Sequence, residues 1–129
     1  MPLWIWVALG SAVGGVARFA VSRLLPTVPG GWPLATMLVN VVGSFIIGWL
    51  AALLTARTAA GGTAAQGVEA LRLFWMTGVL GGFTTYSAFA LETVNLASTG
   101  EALRAVLYVL ATVALCLLAA FAGRALGPG

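Results

Sequence analysis

Four long apolar stretches constrain the fold of this chain more than any other feature. They cover residues 4–25, 34–54, 71–97 and 102–122, and each has at least the roughly 20 residues that a helix needs to cross a bilayer. In hydrocarbon, every backbone polar group must find its partner within the protein, so only helices and closed barrels can span. The pattern predicts an all-α integral membrane protein with four transmembrane helices in one domain, residues 1–129.

The connections between these stretches are predicted to be loops. Residues 26–33, 55–70 and 98–101 contain the Gly, Pro, Ala and Thr that are typical of turns and loops. Small residues at a four-residue spacing, Gly10 with Gly14 and Ser44 with Gly48, allow helices to approach closely. A cleaved signal peptide is the alternative for the first stretch, but no basic residue precedes it and the apolar pattern continues past Arg18.

The arginines give the chain no preferred orientation in a membrane. With four spans they divide equally between the two faces, Arg57, Arg72 and Arg124 on one and Arg18, Arg23 and Arg104 on or toward the other. Because arginine excess in short loops normally sets orientation, we expect insertion both ways up and an antiparallel, dual-topology homodimer. The alternative is a single orientation imposed by partners. Scattered arginines near helix ends indicate interfacial anchoring and no nucleic-acid partner.

The third stretch contains a run that is unfavourable to helix, residues 81–90, Gly-Gly-Phe-Thr-Thr-Tyr-Ser-Ala-Phe-Ala. Each glycine weakens a helix by about 1 kcal/mol relative to Ala, and the hydroxyls offer the backbone rival hydrogen bonds. The run predicts a broken third helix, with the break near mid-membrane at Thr84. Such a break persists only when it is buried or lines a polar cavity. Carbonyls of Gly81 and Thr84 are candidate ligands of a small cation, and the amide end from Thr85 to Ser87 favours an anion.

Polar side chains form stripes on the second and fourth spans. Thr36, Asn40 and Ser44 recur every four residues on one, and Tyr108, Thr112 and Cys116 do so on the other. With Thr85, Tyr86 and Ser87 they predict a ladder of hydrogen-bond donors without a carboxylate, which suits an anion. In the alternative interpretation, the hydroxyls bond to their own backbones and Asn40 joins two helices.

Aromatic and charged residues in the spans leave alternatives open. Tyr86 and Phe89 share a helix face, where they either pack together or direct their positive ring edges toward an anion. Arg18 either extends outward to the interface or places positive potential at a vestibule, and Glu92 either pairs with an arginine or lies at a pore mouth. With no His or Asp and one thiol, neither a metal-ligand cluster nor a nucleophile and base pair is expected, so an enzyme is not predicted.

Four short motifs resemble those of one known family. They are residues 81–89 in the third span, 39–43 (Val-Asn-Val-Val-Gly) in the second, 17–19 (Ala-Arg-Phe) in the first, and 32–33 (Trp-Pro) in the turn before the second. Together they resemble the Fluc (CrcB) family of fluoride channels. The likeness extends over nearly the whole chain and includes its length and four-span layout.

The resemblance implies a passive exporter of fluoride from the cytoplasm, multi-pass in the inner (plasma) membrane. It implies two pores in an antiparallel homodimer of identical subunits, with a structural sodium ion at the centre. By position, Gly81 and Thr84 match the sodium ligands, Asn40 the pore amide, Arg18 the vestibule, Phe89 the second phenylalanine of an aromatic box, and Thr36, Tyr108 and Thr112 the polar lining. Two positions depart from the family pattern: Tyr86 replaces the first box phenylalanine, and Cys116 replaces a lining serine.

Two other functions are compatible with a chain of this size. A small four-span multidrug exporter driven by protons needs a carboxylate inside the membrane, and Glu92 is the only candidate. An assembly or interaction protein that transports nothing is the third hypothesis. Flux that ignores a proton gradient would exclude the exporter, and any fluoride conduction would exclude the third.

Overall fold

The chain is entirely helical in the computed structural model, which describes residues 1–129. Three helices, α1 (Leu3–Leu24), α2 (Leu34–Ala60) and α7 (Ala102–Leu126), have 22, 27 and 25 residues. Each is long and apolar enough to cross a membrane. They coincide with the first, second and fourth predicted stretches, so the all-α class and the helices predicted there are confirmed.

The predicted loop over residues 55–70 is wrong for most of its length. Helix α2 continues past Leu54 to Ala60, because the Ala-rich sequence there favours helix, and it ends at Gly61, whose φ is 67°. Two short helices follow, α3 (Gly62–Ala65) and α4 (Val68–Arg72), separated by Gly67 at φ 71°. Glycines with positive φ therefore divide this segment, and the residues between them are helical.

The third span is divided into two half-helices, as predicted, by the extended residues Thr84 and Thr85. The first half covers residues 68–83 and consists of α4, a π-helical stretch (Leu73–Leu80) and α5 (Gly81–Phe83). The second is α6 (Tyr86–Ser98). The break begins after the glycine pair, since Gly81 and Gly82 are both helical.

Local hydrogen bonds explain why the threonines form the break. The Thr85 hydroxyl caps α6 by accepting from the Ala88 amide at 3.2 Å, which favours extended backbone at Thr85. The Thr84 hydroxyl donates to the Leu80 carbonyl at 2.9 Å, and so does the Thr84 amide. The Thr85 hydroxyl therefore satisfies one amide of α6, and the Thr84 amide and hydroxyl satisfy one carbonyl of the first half-helix.

Helix α1 packs parallel to the first half-helix through glycines. A Cβ on Gly10 would lie 2.9 Å from the Cα of Gly78, and one on Gly14 would lie 2.8 Å from the Phe83 amide nitrogen. Gly82 faces α1 as closely, since its Cβ would lie 2.6 Å from a carbonyl oxygen of that helix. Close backbone approach, which only glycine permits, explains why Gly82 is helical and not the site of the break.

Helices α2 and α7 form a second parallel pair. A Cβ on Gly48 would lie 3.0 Å from the Arg124 amide nitrogen, and one on Gly123 would lie 3.0 Å from that of Trp49. The predicted role of Gly10, Gly14 and Gly48 in close helix contacts is confirmed within one chain. The third span lies against both pairs, which places its break between α1, α2 and α7.

Most of the large apolar side chains point outward. Leu118 and Phe121 are 66% and 74% exposed, and only Val39 and Tyr108 are both large and fully buried. Such a surface is unsuited to water and suits lipid or a second subunit. The helices therefore position a few polar groups inside and leave the outer surface apolar.

Candidate functional site

The Asn40 side chain holds the backbone at the break. Its Nδ2 donates to the Thr85 carbonyl at 2.9 Å, and its Oδ1 accepts from the Thr85 amide at 2.8 Å. Both backbone groups of this extended residue are therefore paired inside the protein, as a membrane requires. One N–H and one lone pair of the carboxamide remain, because a carboxamide can make four hydrogen bonds.

A groove of about 420 Å³ runs beside the break. Its polar and aromatic lining includes most of the predicted pore residues, namely Asn40, Thr85, Tyr86, Phe89, Thr112 and Cys116. The two predicted cation ligands, Gly81 and Thr84, line the same groove. Ser44 also lines it. Its four-residue spacing from Asn40 on the α2 stripe predicted this position.

Thr112 presents a polar atom without a partner. Its side chain is buried, with 4% of the residue exposed, and Oγ1 makes no hydrogen bond. A buried hydroxyl without a partner is unfavourable by about 1–3 kcal/mol, so most such groups in proteins are bonded. Since Thr112 lines the groove, this unpaired hydroxyl belongs to the groove wall.

Three aromatic rings follow one another across the site. The centroid of Phe89 lies 5.7 Å from that of Tyr86, with an interplanar angle of 60°, and 5.2 Å from that of Tyr108. Phe89 is 7% exposed and Tyr108 is fully buried, whereas Tyr86 is 81% exposed. Tyr86 therefore projects from the surface of the single chain at the open side of the groove.

Glu92 corrects the expectation of a carboxylate-free ladder. Its Oε1 accepts from the Thr36 hydroxyl at 2.7 Å, and its Oε2 accepts from the Tyr108 hydroxyl at 2.8 Å. The two ion pairs of the chain, Arg72 with Glu69 and Arg104 with Glu101, do not include it. Of the two alternatives for Glu92, pairing with an arginine is therefore not what the structure shows, because α2 and α7 each supply a hydroxyl donor to this carboxylate on α6.

A second cavity, of about 360 Å³, lies on the other side of the break. Arg18, Thr36, Thr85 and Glu92 are its main polar lining residues, so both predicted vestibule residues face one space. Arg18 is partly exposed there. Because Thr85 lines both the cavity and the groove, the break separates two polar spaces.

Two predicted pore residues line neither space. Ser87 is exposed on α6, with its hydroxyl 3.3 Å from that of Thr85. Tyr108 lies behind Phe89 and reaches the site through its hydroxyl bond to Glu92. The predicted pore residues thus divide into those that line the groove, Thr36 in the second cavity, and these two.

Comparison with known proteins gives consistent results over most of the chain. A family model described as CrcB-like protein, Camphor Resistance (CrcB), matches residues 5–124. Several proteins named fluoride-specific ion channel FluC are similar to this chain. The one from Methylocella silvestris is 44% identical, and the alignment covers 94% of this chain and 89% of that protein. The corresponding values are 47%, 96% and 91% for Opitutus terrae, and 45%, 98% and 95% for Deinococcus radiodurans. The chain belongs to the CrcB family.

Proposed function

We propose that this protein is a channel that lets fluoride leave the cytoplasm passively. Relatives that this chain matches over 89% to 95% of their own length are named fluoride-specific ion channel FluC. The ion path follows the break, from the cavity at Arg18 past Thr85 to the groove at Phe89.

One observation carries this proposal: the groove offers neutral hydrogen-bond donors and aromatic rings beside a buried hydroxyl that has no partner. Fluoride is a small, strongly hydrated anion, so a pore must replace its water with donors in a narrow passage. The Thr112 hydroxyl and the remaining N–H of Asn40 are such donors. Neutral groups also release the ion readily, whereas a buried cation without a partner would retain it.

The functional unit that we propose is an antiparallel homodimer in the inner membrane. The equal division of the arginines between the two faces supports insertion in both orientations. Tyr86 and Gly81 are exposed at the open side of the groove, where a second copy would close the ion path. An inverted pair of broken helices then gives each pore both kinds of half-helix end.

The proposed sodium site consists of the backbone carbonyls of Gly81 and Thr84. Gly81 is exposed, and apart from chain neighbours and its own helix backbone the only atom within 4 Å of a Cβ built on it is 3.9 Å away, so the surface beside it is open to a partner. Carbonyl oxygens are ligands that hard cations accept, and the end of the first half-helix carries partial negative charge. A bound sodium ion would neutralise that charge where the two copies meet.

Nothing in the site favours the proton-coupled exporter. Glu92 already accepts a hydrogen bond at each of its two oxygens, whereas an exporter needs a carboxylate that exchanges protons for a cationic substrate. A transmembrane proton gradient separates the two hypotheses, because only the exporter would respond to it.

Reconstitution into vesicles tests the proposed function. Vesicles loaded with potassium fluoride or potassium chloride are diluted, and efflux is started by making the membrane permeable to potassium. We expect fluoride to be released rapidly. Chloride release should be no faster than from protein-free vesicles, and each ion is followed with an ion-selective electrode. Equal release of both ions, or none, would contradict the proposal.

A further inference from the structure

Arg104, at the start of α7, contacts three residues at one end of the molecule. Its Nη1 donates to the carbonyl of Gly30 in the first loop and, at 3.0 Å, to Oε2 of Glu101. Its guanidinium also lies over the ring of Trp32, 5.9 Å from the centroid, within the range of a cation–π contact. One planar side chain therefore ties the first loop to the end of the third connection.

The Trp32 ring extends this contact toward the ion path. It meets the ring of Tyr108 at a centroid distance of 6.2 Å and an angle of 63°. Tyr108 is fully buried, its hydroxyl donates to Glu92, and its ring packs on Phe89. An uninterrupted series of contacts thus runs from Arg104 through two rings to both the carboxylate and the aromatic ring of the site.

We propose that Arg104 and Trp32 are positioning residues that hold Tyr108 and thereby set the rate of fluoride passage. This inference rests on the proposed function. The two side chains, together with Gly30 and Glu101, are called the loop clamp. A rotation of the Tyr108 ring would remove the hydroxyl donor of Glu92 Oε2 and the support of Phe89, and Trp32 covers Tyr108 on the side that faces the loop.

The other ion pair of the chain shows that this arrangement is more than a surface salt bridge. Arg72 and Glu69 are also three residues apart, but their side chains are 56% and 55% exposed. The side chains of Arg104 and Glu101 are 33% and 36% exposed, and of the two arginines only Arg104 lies over an aromatic ring. Partial removal of water strengthens cation–π and charge-assisted contacts, so the loop clamp is the stiffer of the two.

The test uses full-length protein in vesicles and separates the rate of fluoride release from its amplitude. The variants are Arg104→Lys and Trp32→Leu, each alone and combined with Tyr108→Phe, with Arg72→Lys as the matched control. Arg104→Lys keeps the positive charge but loses the planar group that donates and stacks at once. Trp32→Phe keeps a ring in place and is the conservative rescue.

We expect Arg104→Lys and Trp32→Leu to slow release about two- to fivefold, the factor that corresponds to one cation–π contact of about 0.5–1 kcal/mol. The amplitude, which reports the fraction of vesicles with a working channel, stays at the wild-type value. Trp32→Phe and Arg72→Lys remain close to wild type. In the Tyr108→Phe background, Arg104→Lys causes less slowing than in the wild-type protein, since the part that acts through the Tyr108 hydroxyl is already lost.

If wild-type protein conducts fluoride, three results would overturn this inference and leave the proposed function standing. They are fluoride release by Arg104→Lys at the wild-type rate, a lower amplitude of release at an unchanged rate, and effects of Arg104→Lys and Tyr108→Phe that are fully additive. The first would indicate that only charge matters at this position. The second would indicate a general loss of folded channel. Wild-type protein that releases no fluoride would overturn the proposed function, and this inference with it.

Discussion

The carboxamide of Asn40 and the backbone of Thr85 form a closed pair of hydrogen bonds, 2.9 Å from Nδ2 to the carbonyl oxygen and 2.8 Å from the amide nitrogen to Oδ1. The pair connects α2 to the extended residues that divide the third span. A side chain thus takes the place of the helical bonds that Thr85 lacks, and this is what allows a break inside an apolar helix.

Replacement of Asn40 by alanine is expected to destabilise the protein and to abolish fluoride flux. Thr85 would keep an amide and a carbonyl without partners, each unfavourable by about 1–3 kcal/mol when buried. Thermal unfolding in detergent measures the loss. Ser44→Ala, one turn further along α2 in the same groove, is the control for a polar deletion. Equal melting temperatures for the two variants would contradict the structural role of Asn40.

The sequence predicted both the break and its position at Thr84, but not which residues of the run remain helical. Thr and Ser in a span favour local hydrogen bonds, and this signal is local. The glycines next to them are helical because Gly82 packs against α1, a contact between distant parts of the chain that a local pattern does not encode. The π-helical stretch over Leu73–Leu80 likewise left no recognisable pattern in the sequence.

The candidate site was predictable where helical spacing determines it. The stripe of Thr36, Asn40 and Ser44 placed polar groups on one side of α2, and all three line the spaces beside the break. The bonds of Glu92 were not predictable, because their two donors come from different helices. Spacing along one helix indicates a face, whereas the partner of that face depends on tertiary packing.

The paired glycines of α1 allow a test of the parallel packing. Gly14→Ala would force a Cβ to within 2.8 Å of the Phe83 amide nitrogen, and overpacking of this kind costs about 1–3 kcal/mol. Gly15→Ala is the matched control, because nothing lies within 4 Å of a Cβ there, and alanine favours helix by about 1 kcal/mol. We expect opposite shifts in melting temperature. Shifts of the same sign would contradict the close contact with the third span.

Sodium removal tests the proposed ion at the centre of the dimer. Without a cation, the carbonyl ends of two half-helices would face each other with partial charges of the same sign. We expect the dimer to be weaker when sodium is replaced by a large organic cation. On dilution in detergent, it should then dissociate to monomer at a higher protein concentration than it does in sodium. Size-exclusion chromatography with light scattering measures the ratio of dimer to monomer. A ratio independent of the cation would argue against the site at Gly81 and Thr84.

Phe89 is expected to determine flux without determining assembly. Isoleucine in its place keeps most of the apolar volume but removes the ring, whose positive edge is the feature that attracts an anion. We expect Phe89→Ile to slow fluoride release at least tenfold, while the dimer elutes unchanged. A tenfold change in rate corresponds to about 1.4 kcal/mol. Phe121→Ile is the matched control, since Phe121 is 74% exposed on the outer surface. Undiminished flux would exclude the ring from the ion path.

Thr112 allows a test in which function and stability change independently. Valine has nearly the same shape as threonine, and Oγ1 of Thr112 has no hydrogen-bond partner to lose, so Thr112→Val is expected to keep or raise the melting temperature. The same change removes a donor from the groove and is expected to slow fluoride release several-fold, whereas Thr112→Ser keeps the hydroxyl and most of the flux. Release rates and melting curves on one preparation measure both effects. Wild-type flux in Thr112→Val would mean that the unpartnered hydroxyl is not used by the ion, and a lower melting temperature would mean that the protein itself bonds it.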